Sequence, residues 1–237
     1  MKLLSVSVSL RKEVPYRGKT VATGIFKEPV SGRIMLRTLN LDGDQQVDLK
    51  GHGGIYKAAC VYTIENYEHW TRELGRDDFK YPQFGENFTV EGMLEDEVHV
   101  GDVFRVGKAL VEVTQPRVPC YRLGIKMGDP QFPKRFLQSS RVGFYFRVLE
   151  EGDVGAGDVI ELVREDPEGM SVRAVNHLYY FDPKNVDDCQ RATRIKALSP
   201  GWREGFLDRL EKAGITVERK EEPKDERCCG PDDRETP

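Results

Sequence analysis

Short apolar runs separated by glycine-containing turns follow one another as far as residue 166, and no other feature constrains the fold more. The runs cover residues 6–8, 33–36, 58–62, 88–90, 103–106, 109–114, 143–149 and 159–163. Runs of this length are typical of β-strands, and many of them in series favour a barrel. The pattern therefore predicts a mainly β, α+β fold with a closed or nearly closed barrel.

Two helices are predicted to interrupt these strands. Thr63 can cap the first helix, whose apolar residues then recur at helical spacing until Gly75 ends it. The second helix is predicted over residues 133–138.

Beyond Pro167 the sequence has the pattern of helices. Ser171 can cap one helix, and the pairs Asp182-Pro183 and Ser199-Pro200 each place a capping residue before a proline at the first helical position. Three short helices make an appendage that is barely large enough for its own core. We expect it to dock on the barrel or on a second copy of the chain.

These patterns divide the chain into three parts. Residues 1–166 are predicted to form the barrel domain and residues 167–216 the three-helix appendage. Residues 217–237 are mostly charged or proline, which is typical of a disordered tail.

The composition argues against several classes of function. Of the 237 residues, 38% are hydrophobic and 32% charged, and the formal net charge is −4. Binding to a nucleic-acid backbone relies on clustered Lys and Arg, so we expect no nucleic-acid partner. No apolar run approaches the roughly 20 residues that cross a bilayer, so we expect no membrane partner. The five cysteines are scattered without disulfide or zinc spacing, which favours a cytoplasmic protein.

One cysteine stands between two arginines in the segment Gln115–Arg122. Two prolines keep this segment extended, and the flanking positive charge favours the thiolate, which is the nucleophile and the metal ligand. Cys120 is therefore a candidate reactive thiol; the alternative is a small buried hydrophobic residue. Because Arg117 and Arg122 are costly in an apolar pocket, an anion could compensate them.

The loop Lys50–Gly54 has three glycines within four positions. Such a loop can expose backbone N–H groups to an oxyanion, and Lys50 and His52 would add polar or cationic side chains. Its spacing matches neither a P-loop nor a dinucleotide-binding fingerprint. The alternative is a glycine-rich hairpin connection with a surface histidine.

The segment Phe84–Phe88 places a Gly-Glu-Asn triplet between two phenylalanines. Its Asn87 could bind a ligand through a hydrogen bond or could stabilise a turn.

Taken in order, these segments resemble those of MOSC-domain proteins. The matching features are Asp44, Lys50–Gly54, Phe84–Phe88, Gly101-Asp102 and the Pro-Arg-Val-Pro-Cys run that ends at Cys120. The resemblance is closest to the bacterial YiiM type, which is associated with resistance to 6-hydroxylaminopurine. It covers most of the chain, including the helical segment.

The resemblance implies a MOSC β-barrel that binds the molybdenum cofactor, a molybdopterin whose dithiolene holds the metal. By position, Cys120 resembles the family cysteine that ligates molybdenum, and Arg117 would hold this thiolate or contact the anionic cofactor. A soft thiolate suits a metal that is already bound by sulfur. His52 would act beside these two residues in catalysis. The residues expected to bind the cofactor are Lys50, His52, Gly53, Gly54, Asn87, Arg117 and Cys120.

The implied reaction is reduction of small N-hydroxylated compounds, such as 6-hydroxylaminopurine, to amines. The cofactor carries out the redox step while the protein orients the substrate. The chain has no flavin, haem or iron–sulfur motif, so the electrons would come from a separate NAD(P)H-dependent flavoprotein reductase. The appendage could close the pocket, pair two copies of the chain as a homodimer, or dock this reductase.

Two other functions stay open at this point. A cofactor carrier or sulfur-transfer accessory would bind the same cofactor without turning over hydroxylamines. A cysteine hydrolase that used Cys120 and His52 would work without metal.

Overall fold

Strands dominate the chain as far as residue 164, and helices follow. The computed structural model describes residues 1–47, 53–217 and 219. Within them the strands are β1 (Lys2–Val8), β2 (Lys12–Tyr16), β3 (Lys19–Thr23), β4 (Glu28–Pro29), β5 (Arg33–Leu36), β6 (Ala59–Thr63), β7 (Phe88–Glu91), β8 (Val103–Val106), β9 (Ala109–Pro116), β10 (Phe144–Glu150), β11 (Gly152–Gly155) and β12 (Ile160–Arg164). The helices are α1 (Ile64–Leu74), α2 (Tyr121–Met127), α3 (Phe132–Gln138), α4 (Val172–Tyr180), α5 (Val186–Arg194) and α6 (Pro200–Lys212).

Each apolar run of the sequence corresponds to a strand of the structure. The structure also contains β2, β3, β4 and β11, which the sequence analysis did not predict. The first two form a separate antiparallel hairpin whose residues are mostly exposed or half-buried. They therefore lack the apolar alternation of a strand that packs on a core. β11 is rich in glycine and pairs with β5.

One eight-stranded sheet carries the fold, with the strand order β12-β8-β9-β10-β6-β7-β1-β4. Its named pairs are antiparallel except β6 with β7. The predicted mainly β, α+β fold is confirmed, but this large sheet is not closed into a barrel. β1 meets the start of β12 at a single bridge between Lys2 and Val159, and the residues that would continue the ladder lie in the turn before β12.

The predicted helices are present, with two corrections. α1 follows Thr63 and ends before Gly75, whose φ of 62° is left-handed. α2 was not predicted; it begins directly after Cys120. α5 begins at Val186 rather than at the Asp182-Pro183 pair, because Asn185 is its cap. None of the helices that the structure describes is long and apolar enough to cross a membrane.

The helical segment docks on the sheet. Backbone hydrogen bonds join Val172 N to Val98 O at 2.9 Å and Val100 N to Met170 O at 3.0 Å. Trp202 and Phe206 of α6 belong to the same buried cluster as the sheet residues. The division of the chain at residue 166 stays a prediction, since sheet and helices share this core.

A second buried cluster is mostly aromatic and lies between α1, α2 and α3. Phe84 packs within it against Tyr62 and Phe136, with ring centroids 4.8 and 5.9 Å away. Trp70 of α1 stacks on Phe136 with centroids 5.8 Å apart. This cluster fixes the segment that begins at Phe84 and so supports the polar residues that follow it.

Candidate functional site

Cys120 lies directly before α2, in the short segment through which the chain leaves strand β9. The backbone is fixed on both sides of it: Arg117 N donates to Gly143 O at 3.0 Å, and Leu123 N donates to Cys120 O at 2.9 Å. The side chain is buried but lines a cavity of about 100 Å³ that opens to the surface.

Arg117 enters the same cavity from the wall formed by the second cluster. Its Nη2 donates to the Phe84 carbonyl oxygen at 2.8 Å, and its guanidinium lies 5.6 Å from the centre of the Phe136 ring. Nη1 is buried and has no hydrogen-bond partner among the residues that the structure describes. A buried guanidinium with an unused donor is suited to binding an anion.

The surroundings of Arg117 keep it charged. Burial lowers the pKa of Arg117, but the nearby acidic groups, among them the Glu86 carboxylate, raise it above its usual value. Glu86 lies between Phe84 and Asn87 in the chain. Its carboxylate is buried and accepts hydrogen bonds from Phe84 N at 3.1 Å and from the Thr89 hydroxyl at 3.0 Å. Burial raises the pKa of Glu86, while Arg117 lowers it.

Asn87 joins three separate segments of the chain. Its Nδ2 donates to Ser7 O at 3.1 Å and to Asp44 Oδ2 at 2.9 Å, and its Oδ1 accepts from Cys60 N at 3.1 Å. Both amide hydrogens are thus directed at protein acceptors. The predicted hydrogen bond from Asn87 to a ligand would have to compete with these contacts, which hold the cavity wall together.

Asp44 is the partner of a buried lysine rather than a simple turn residue. Lys27 Nζ donates to its two carboxylate oxygens at 2.6 and 2.7 Å, and Ser9 N donates to Oδ1 at 2.8 Å. The two side chains are 9% and 1% exposed, so the ion pair is almost completely dry. It brings an ammonium group to the cavity wall.

The cavity is electropositive. Among the described residues that line it, the cationic side chains are Lys27, Lys57, Arg117 and Arg122, and the carboxylate is that of Asp44. Such a lining attracts anions and concentrates them in the cavity.

The glycine-rich loop is described only in part. Lys50 and His52 lie outside the described residues. Gly53 is buried, and Gly54, with a φ of 90°, precedes a single 3₁₀ turn over Ile55–Lys57. Val47 on one side of the loop and Lys57 on the other both line the cavity.

Sequence reasoning missed several residues of the cavity, above all Lys27, Cys60 and Tyr145. Lys27 comes from the connection between the unpredicted strands β3 and β4. Cys60 and Tyr145 lie within strands, where they read as ordinary core residues. They come together because β6 pairs with β10, and the sequence alone did not indicate this pairing.

Comparison with known proteins identifies the family of the chain. The chain matches the MOSC domain over residues 48–161 and the YiiM-like, 3-alpha helix domain over residues 170–213. It is 41% identical to the uncharacterized protein YflK of Bacillus subtilis, over 89% of this chain and 95% of that protein. The chain belongs to the MOSC family, in its YiiM-like group.

Two YiiM proteins extend the comparison. Protein YiiM of Escherichia coli is 34% identical, over 79% of this chain and 87% of its own length. The crystal structure of YiiM from Geobacillus stearothermophilus superposes with a TM-score of 0.75 at 35% identity, and the match covers 88% of this chain and 98% of that one. Membership of the YiiM-like group is thus supported by both sequence and fold.

A more distant MOSC relative has the name of an enzyme. A protein of Gibberella moniliformis named "Reductase" is 29% identical over 68% of this chain, which corresponds to 29% of that protein's length. The matched MOSC region of the present chain includes Asn87, Arg117 and Cys120.

Proposed function

We propose that this protein is a molybdenum-cofactor-dependent reductase that converts small N-hydroxylated compounds to amines. The observation that carries the proposal is the buried Arg117 guanidinium, whose Nη1 is without a hydrogen-bond partner among the described residues and lies in the cavity that Cys120 lines. Membership of the MOSC family, which is associated with the molybdenum cofactor, and the fungal relative named "Reductase" support it.

The described residues fit this cofactor by their chemistry. Molybdopterin is anionic, and the cavity offers the unused donor of Arg117 together with the ammonium groups of Lys27 and Lys57. Cys120 would ligate the metal, because a soft thiolate suits a molybdenum that is already bound by sulfur. The bound cofactor would supply the two-electron chemistry.

The protein's own residues would bind and orient the reactants. Arg117 would hold the cofactor and favour the thiolate form of Cys120. The wall that Asn87 and Asp44 fix would keep the cavity in shape and place Lys27 beside the anion. The predicted roles of Lys50 and His52 stay part of the proposal, as do the N–H groups of Gly53 and Gly54.

The reaction requires an electron donor. Converting R–NHOH to R–NH₂ and water consumes two electrons and two protons, and we propose a separate NAD(P)H-dependent flavoprotein as the source of the electrons. The homodimer and the cytoplasmic location expected from the sequence stay predictions.

The test is turnover by the purified protein. The protein would be expressed in a host that makes the cofactor, reduced with a chemical electron donor, and given 6-hydroxylaminopurine, and adenine formation would be measured. We expect turnover that depends on cofactor supply. A protein that contains stoichiometric molybdenum but forms no adenine would be a carrier or a sulfur-transfer accessory instead.

A further inference from the structure

Two polar side chains on neighbouring strands share the cavity with Cys120. Cys60 of β6 lies directly opposite Tyr145 of β10 in the antiparallel ladder. Residues that are directly opposite one another project to the same face of a sheet, and both side chains line the cavity. They are 6% and 8% exposed, so the cavity is their main access to solvent.

Among the residues that the structure describes, the Tyr145 hydroxyl has no strong hydrogen-bond partner. It lies against the thiol of Cys60, which is a weak donor and acceptor, and close to the Arg117 guanidinium. The Tyr145 backbone is fixed in the middle of the sheet, between β6 and β9, and its carbonyl accepts from the Thr114 hydroxyl at 3.2 Å. The position of the ring is therefore set by the sheet.

This hydroxyl remains a donor under ordinary conditions. Burial raises the pKa of Tyr145, and the neighbouring Cys60 raises it further, although Arg117 opposes them. The thiol of Cys60 is likewise kept neutral, because burial raises its pKa. The cavity thus contains a neutral, rigidly placed O–H group beside a fixed cation.

We propose that the Tyr145 hydroxyl donates a hydrogen bond to the N–O oxygen of the bound substrate, and that Cys60 orients this hydroxyl from the neighbouring strand. This inference rests on the proposed function. The hydroxylamine has an oxygen that the amine product lacks, so the contact would favour binding of substrate over binding of product. Tyr145 would be a specificity-determining residue and Cys60 a positioning residue.

The experiment measures equilibrium binding of 6-hydroxylaminopurine and of adenine to the cofactor-loaded protein by calorimetry. Removing one hydrogen bond changes affinity by up to about ten-fold. We expect Tyr145→Phe to weaken binding of 6-hydroxylaminopurine by about that factor and to leave adenine binding unchanged. The quantity to compare is the affinity ratio, the affinity for 6-hydroxylaminopurine divided by that for adenine. Cys60→Ala should lower this ratio by a smaller factor than Tyr145→Phe does. Cys60→Ser, which keeps a polar group, should retain most of the wild-type ratio.

Tyr62→Phe is the matched control. Tyr62 is a buried tyrosine of the second cluster, and its hydroxyl donates to the Arg141 carbonyl at 2.9 Å, away from the cavity lining. This variant should lose stability without changing the affinity ratio. The inference is overturned if wild type, Tyr145→Phe and Cys60→Ala have the same affinity ratio. If Tyr145→Phe does not fold, the comparison of Cys60→Ala with wild type decides the matter.

Failure of the inference differs from failure of the proposed function. If wild-type protein forms adenine but Tyr145→Phe has the wild-type affinity ratio, only the inference is refuted. Cofactor-loaded wild-type protein that forms no adenine would refute the proposed function.

Discussion

Replacing Arg117 with methionine tests whether the buried guanidinium serves the fold or a bound anion. Without an anion, the change removes a charged hydrogen bond to the Phe84 carbonyl, which contributes roughly 1.5–3 kcal/mol. It also removes a buried cation whose desolvation costs several kcal/mol. The two effects oppose each other, so we expect the free energy of unfolding to change by less than about 2 kcal/mol.

With the cofactor bound, Nη1 would gain the partner that the described residues do not provide. A charge-assisted hydrogen bond contributes roughly 1.5–3 kcal/mol, which corresponds to about 10- to 150-fold in affinity. Urea unfolding would be measured for wild type and Arg117→Met, each purified from a host that makes the cofactor and from one that does not. We expect the cofactor to stabilise wild type and to have much less effect on the variant.

Arg117→Lys is the control for charge alone. It keeps the cation but loses the planar fork that reaches both Phe84 and the cavity, so we expect an intermediate effect of the cofactor. Two results together would refute the reasoning: cofactor-free Arg117→Met is less stable than cofactor-free wild type by more than about 4 kcal/mol, and Arg117→Met from the host that makes the cofactor contains as much molybdenum as wild type. Arg117 would then be a structural residue.

Three further predictions concern the walls of the site. Gly85→Ala should destabilise the protein by about 2–5 kcal/mol in urea unfolding. Gly85 has a φ of 81°, and the side chain of Ile25 already fills the space where the methyl group would point. The control is Gly18→Ala, at a left-handed position in open space, which should cost about 1–2 kcal/mol. Asp44→Asn should cost about 3–5 kcal/mol because it leaves a buried ammonium uncompensated, whereas Asp42→Asn in an exposed ion pair should cost much less; equal losses would contradict the assigned burial. Burial lowers the pKa of Lys126 to about 8. Between this pH and the ordinary lysine pKa of 10.5, the unfolded chain binds more protons than the folded protein, so stability should rise with pH. Thermal unfolding measured as a function of pH should show a smaller rise for Lys126→Met.

The strands that carry the core could be predicted from the sequence because burial on one or both faces leaves an apolar pattern. Gly75 likewise ends α1 through a local left-handed cap, which requires no tertiary contact, whereas Thr63 precedes the helix without a capping hydrogen bond from its side chain. The β2–β3 hairpin has no such pattern, since neither of its faces is deeply buried. Closure of the sheet depends on how the ends of β1 and β12 meet, and local sequence does not encode this.

The candidate site could be predicted only where its residues lie together in the chain. Arg117 and Cys120 share one short proline-containing segment, and the structure brings both to one cavity. Tyr145 and Cys60 are far apart in sequence and meet only through strand pairing. Asn87 was predicted as a residue of the site, but its bonds to Ser7 and Asp44 depend on contacts between distant segments.

The most direct test of the account is the molybdenum content of wild type and Cys120→Ser, measured by mass spectrometry after identical purification from a host that makes the cofactor. The account predicts near-stoichiometric molybdenum in wild type and little or none in the variant, because the buried thiol of Cys120 is the proposed metal ligand in the cavity. Equal molybdenum in both proteins would remove Cys120 from the metal. No molybdenum in either protein, with cofactor supply verified, would contradict the central claim.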